Sequence, residues 1–157
     1  MVTTVMRNRW AVLGLFVAAV LVVAVVGSLS ALDSGAEYLA LKRPAWAPPR
    51  WLFGPAWTLL YALIALSGWL AWLARGWTPA FGWYAAQLVL NLLWTPLFFA
   101  AGQYGLAFAE IVLLWLAIVA NITVFWRIRR AAALLLVPYL LWVTYAGALN
   151  FAIWQLN

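Results

Sequence analysis

Any chemistry in this chain falls to tryptophan, tyrosine and side-chain amides. Of its 157 residues none is Cys or His, whereas 13 are Trp and 6 are Tyr. Without His, the commonest general base, metal ligand and haem ligand is missing; without Cys there is no disulfide, thiol catalysis or thiolate site. A Ser-His-Asp, zinc or His-ligated haem centre within the chain is excluded. What remains is stacking and amide hydrogen bonding. Tyr84, Gln87, Asn91, Trp94, Thr95 and Phe98 recur at three- and four-residue steps, which puts them on one helix face. Tyr139, Trp142, Ala146, Leu149 and Asn150 form a matching stripe, in which small Ala146 beside bulky Trp142 leaves room at one height. Trp57 and Tyr61 are expected to open onto the same space. Two readings stand for these stripes: aromatic packing with helix–helix hydrogen bonds, or contact with a flat ligand.

The elements that position them are membrane spans. The composition is 69% hydrophobic and only 8% charged, far outside the range of soluble domains. Five apolar runs are long enough to cross a bilayer, at about 10–32, 55–74, 79–101, 105–126 and 131–154. The expected fold is therefore all-α, one integral membrane domain built as a five-helix bundle. The positive start and Ser28-Leu29-Ser30 resemble a cleavable signal, but a signal core is usually about 7–15 residues, so a retained first helix is expected. Asn91 turned toward lipid would leave its amide unsatisfied, so its face should point inward. Pro55 suits a first helical turn, and Pro138 should kink the fifth span.

The net charge is +6, but the basic residues sit at the ends of apolar runs, which speaks for membrane topology and against nucleic acid. Arg7, Arg9, Arg75, Arg127, Arg129 and Arg130 fall on one side; Lys42, Arg43 and Arg50 fall on the other. The positive-inside rule then puts the N-terminus in the cytoplasm and the first loop and C-terminus outside. Trp10, Trp77, Trp126 and Trp154, near span ends, are expected as interfacial anchors.

Residues 44–57 crowd four prolines and three tryptophans between the first two runs. Each Pro fixes its own φ and pushes its predecessor out of the helical region, so the segment should be stiff and extended, a lid holding indoles over the bundle. Just before it, Ser34 and Glu37 have capping-box spacing, which allows a short helix across 35–41 or an ordinary polar turn. Glu110 is the only acid within a span and lies near the positive end of its helix, where structural anchoring is its expected role. Gly82 with Ala86, Gly105 with Ala109, and Ala148 with Ala152 are small-residue pairs that suit close helix contact or a dimer. Asn121-Ile122-Thr123 matches a glycosylation sequon, but lies inside a span and is dismissed.

Several stretches resemble a known family. Lys42-Arg43-Pro44-Ala45-Trp46-Ala47-Pro48-Pro49-Arg50-Trp51 resembles the first-loop signature of the TspO/MBR family (translocator and tryptophan-rich sensory proteins). Pro55-Ala56-Trp57-Thr58-Leu59-Leu60-Tyr61 resembles its second-helix start, Tyr84 to Asn91 with Trp94-Thr95-Pro96 its third helix, and Pro138 to Asn150 its fifth. The resemblance implies a five-helix bundle, commonly a homodimer, that binds porphyrins and isoquinoline- or benzodiazepine-type drugs beneath the first loop. It implies a ligand pocket of Tyr38, Trp46, Trp57, Asn91, Trp142 and Ala146, with no metal and no cofactor apart from porphyrin as ligand. The family's sterol pattern needs a basic residue soon after a Tyr near the C-terminus; none follows Tyr145, so sterol binding there is not implied.

The function expected on these grounds is a membrane receptor or carrier for tetrapyrroles, porphyrin or haem. Trp46, Trp57 and Trp142 would stack on the ring, Asn91 and Tyr38 would orient its polar edge, and Arg50 or Lys42 would meet propionates at the rim. One rival is a light- and oxygen-dependent porphyrin-degrading enzyme with tryptophan as redox partner. Another is a scaffolding or stress-sensing membrane protein, which would show no saturable ligand binding.

Overall fold

The computed structural model describes residues 2–32 and 35–157, with side chains from residue 8 onward. Among the described residues, six of seven α-helices make up five spans. Helix α1 (Val2–Ala31) is the first span; α2 (Gly35–Ala40) is a short helix beyond it. Helix α3 (Phe53–Arg75) is the second span, α4 (Phe81–Thr95) the third and α5 (Tyr104–Ile128) the fourth. The fifth span is broken into α6 (Arg130–Leu135) and α7 (Val137–Leu156). Five segments are long and apolar enough to cross a membrane, and no strand occurs among the described residues.

Proline explains most departures from regular helix. Pro138 has no N–H to donate back to Leu134, and the fifth span breaks two residues before Pro138, at Leu136, where the sequence predicts a kink. Pro96 has the same effect on the third span, where residues 96–100 relax into a π turn and Ala101 donates to the Pro96 carbonyl at 2.9 Å. Pro55 sits third in α3, among the N–H groups that have no helical partner in any case, so the helix starts two residues before it. The sharp turn after the π segment depends on Gly102, at φ +61°. The short helix expected across 35–41 is present as α2, whereas the Ser34 cap lies outside the described residues.

The spans close into a ring. Helix α1 packs on α3 and α4, α4 on α5, α5 on α6 and α7, and α3 on α6, so the spans follow one another in the order 1–2–5–4–3. Aromatic side chains link the helices within a largely aliphatic interior. Tyr84 stacks on Phe125 with centroids 5.9 Å apart, meets Phe16 edge-on, and donates its hydroxyl to the Ile64 carbonyl at 2.8 Å. Ser67 bonds the Ala132 carbonyl at 2.7 Å, tying α3 to α6. The inward face expected for the third span holds: Tyr84, Gln87, Asn91, Trp94 and Phe98 are all buried. Of the small-residue pairs, Gly105 is used within the chain, since a Cβ there would meet the Trp154 indole at 2.9 Å.

The proline-rich segment is pinned to the same end of the bundle as the C-terminal half of α7. The Tyr145 hydroxyl donates to the Trp46 carbonyl at 2.7 Å. The Asn157 side chain bonds the Lys42 backbone twice, accepting from its N–H at 3.1 Å and donating to its carbonyl at 3.0 Å. Two of its three indoles, however, stay outside the bundle interior. Trp46 is 49% exposed and Trp51 71% exposed, so neither covers the space between the helices as the sequence reading expects.

Candidate functional site

One sizeable cavity, about 340 Å³, lies between α1, α3 and the third span, beneath α2. Its α1 wall is made of Ala24, Gly27, Ser28 and Ala31, spaced so that four small side chains fall on one stripe. These residues create the room by being small. Opposite stand the larger faces of Phe53, Trp57 and Tyr61 from α3, and of Trp94, Thr95 and Phe99 from the third span. Tyr38 and Arg50 stand at its outer end. Ser28, Gly54 and Thr58 are exposed, so the cavity is a cleft opening sideways between α1 and α3.

The polar groups here are sparse and specific. Tyr38 is buried, and its hydroxyl donates to the Pro48 carbonyl at 3.3 Å. Burial pushes the Tyr38 phenol up from its ordinary range; the Arg43 guanidinium, 4.8 Å above its ring, pulls the other way. Trp57 stacks on Tyr61, centroids 5.4 Å apart and planes 28° from parallel. Tyr61 donates to Asn91 Oδ1 at 3.4 Å, and Asn91 Nδ2 donates to the Tyr139 hydroxyl at 2.8 Å. Asn91 therefore holds Tyr61 from behind and stands outside the cleft lining.

The residues expected to share one pocket are distributed differently. Tyr38 and Trp57 line the cleft. Trp142 lies behind Trp57, edge to face at 6.4 Å, with its indole N–H buried and without a partner among the described residues. Ala146 is buried and faces a separate gap of about 10 Å³. Tyr38, Phe53, Trp94 and Phe99 line both spaces, so four aromatic side chains form a partition between cleft and gap. Trp46 lies on the outside against Tyr145, with ring centroids 5.8 Å apart. Sequence reasoning missed the α1 wall altogether. Its signal was present: small residues at i, i+3, i+4 and i+7 in a helix otherwise rich in Val and Leu.

Glu110 is 7% exposed, on the face of α5 that also buries Ala107, Ile111 and Leu114. Neither carboxyl oxygen has a hydrogen-bond partner among the described residues, so no bond of the expected anchoring kind is seen. No cluster of His, Cys, Asp or Glu suited to a metal occurs among the described residues.

A family model described as the TspO/MBR family matches residues 16–155. Protein CrtK of Rhodobacter capsulatus is 41% identical over 139 residues, covering 85% of this chain and 87% of that one. The tryptophan-rich sensory protein of Cereibacter sphaeroides is 40% identical over 152 residues, covering 97% and 95%. The translocator protein of Ovis aries is 38% identical over 125 residues, covering 76% and 74%.

Proposed function

Because this chain belongs to the TspO/MBR family and is an integral membrane protein, we propose that it is a receptor or carrier for a flat, largely apolar tetrapyrrole such as porphyrin. The observation that carries this is the cleft of about 340 Å³, walled by the faces of Trp57, Tyr61 and Trp94 and by an α1 stripe that leaves them unobstructed. Ligand pockets are mostly apolar with a few placed polar groups, and begin at about 300 Å³. Tyr38 and Trp57 meet the guest directly, Asn91 holds Tyr61 in place, and Trp142 backs Trp57. Affinity needs no metal bond: about 40 heavy atoms at roughly −0.3 kcal/mol each reach on the order of −12 kcal/mol. Drugs of the isoquinoline and benzodiazepine type fit the same description of flat, apolar guests.

Porphyrin quenching of tryptophan fluorescence in detergent-purified protein tests this. Trp57→Ala removes a stacking face and should weaken binding about tenfold, roughly 1.4 kcal/mol. Trp142→Ala and Asn91→Ala, which act through neighbours, should weaken it less. Unchanged affinity in all three variants would sink the proposal.

The membrane we propose is a bacterial cell membrane, with a homodimer as the working unit. The orientation puts Arg9, Arg75, Arg127, Arg129 and Arg130 in the cytoplasm, and the cleft's outer end with Lys42, Arg43 and Arg50 outside. Since the chain has no Cys, single cysteines report its topology cleanly. A membrane-impermeant maleimide should label Gln103→Cys on intact cells, and Arg129→Cys only after the membrane is opened. The reverse pattern would invert the assignment.

A further inference from the structure

We propose that Arg50, seated on Gly35, reads a carboxylate on the guest, so that the cleft selects flat molecules carrying an acid at one edge. This rests on the cleft being the ligand site. Three basic residues stand at this end of the bundle, and the geometry separates them. Arg43 lies over the Tyr38 ring at 4.8 Å. Lys42 is exposed and outside the cleft lining, its backbone held by Asn157. Among the described residues that line the cleft, Arg50 alone carries a charge and none is an acid. A guanidinium presents a planar fork of donors matched to a carboxylate, and Arg50 is exposed, so it offers that fork at the rim of the cleft.

Gly35 fixes where that fork stands. A Cβ at Gly35 would collide with the guanidinium carbon and both terminal nitrogens of Arg50. The absence of a side chain at 35 therefore lets the guanidinium lie against the α2 backbone, at the outer end of the cleft. Because the colliding atoms are the far end of a flexible side chain, Gly35→Ala should push the guanidinium aside and leave the helices intact. Two variants thus separate charge from position: Arg50→Gln removes the charge, and Gly35→Ala moves it.

The test compares protoporphyrin IX, which has two carboxylates, with its dimethyl ester, titrated against the full chain in detergent. Arg50→Gln should weaken binding of the acid about tenfold and leave the ester within about twofold. Gly35→Ala should shift the acid in the same direction and spare the ester. Equal losses for acid and ester in Arg50→Gln, or no loss for the acid, would overturn the proposal. If the native protein binds neither tetrapyrrole, the tetrapyrrole reading fails by itself, and 1-pyrenebutyric acid with its methyl ester carries the same comparison. There, an acid-selective loss upholds the role of Arg50 and an equal response overturns it. A native protein that binds none of the four probes ends both proposals.

Discussion

Gly27→Leu should reduce porphyrin affinity by about a hundredfold or more, around 2.7 kcal/mol, while the bundle keeps its fold. Gly27 faces the cleft, and a Cβ placed there meets only Thr95 Oγ1, at an ordinary 3.7 Å. The first carbon is therefore accommodated without displacing backbone, and the remaining three project into space the guest needs. Filling an apolar cavity commonly stabilises a protein, so the thermal midpoint should hold or rise. Ala146→Leu is the matched control. It adds three carbons, against four in Gly27→Leu, beside a gap of about 10 Å³ across the aromatic partition, where overpacking costs about 1–3 kcal/mol. Its effect should be on stability, with porphyrin affinity little changed. Fluorescence titration and a detergent melt on both variants separate the cases. Full binding by Gly27→Leu with loss in Ala146→Leu would move the guest to the α7 side of the partition.

The largest single-methyl effect on stability is expected at Gly68. This buried residue of α3 lies where a Cβ would come within 2.7 Å of the Phe16 ring and 2.8 Å of the Tyr84 ring. Neither ring has an easy way out. Tyr84 is held by its hydroxyl bond to the Ile64 carbonyl and by its stack on Phe125, while Phe16 also packs on Trp77 and Phe81. Gly68→Ala should destabilise the bundle by about 2 kcal/mol, from overpacking against rigid neighbours. Gly68→Val should prevent accumulation of folded protein. Pairing Gly68→Ala with Phe16→Leu, which removes the contacted ring, should recover part of the loss. A melt of Gly68→Ala indistinguishable from the native protein would contradict this packing.

Much of the scaffold was legible in the sequence because hydropathy and proline act locally. The five apolar runs became the five spans, and the Pro138 break needed only the missing N–H of one residue. The Tyr84–Phe98 face was legible as well, since a lone amide such as Asn91 cannot be left facing lipid. The empty space was harder to place. Its position depends on where Phe53, Trp57, Trp94 and Phe99 come to rest, and that is fixed by contacts between helices distant in sequence. The stripe from Ala24 to Ala31 passed unnoticed because alanine is common throughout this chain. Trp46 shows the same limit from the other side. The prolines suggest an extended segment, whereas the chain turns at residues 45–46 and coils into a 3-10 turn at Arg50–Leu52, and its direction follows from Tyr145 and Asn157, bonded to it from 99 and 115 positions away.

The ring of four aromatic side chains shared by the two spaces has a kinetic corollary. A molecule small enough for the lateral opening can enter as fast as diffusion in the bilayer delivers it. A bulkier one must wait for Tyr38, Phe53, Trp94 and Phe99 to give way, and because the gap behind them is only about 10 Å³, they can do so only with a shift of the helices that carry them, far slower than a single side-chain flip. Association rates across a graded series of ligands should therefore break sharply at one molecular size, and dissociation beyond that size should slow in step, making large guests long-lived once captured.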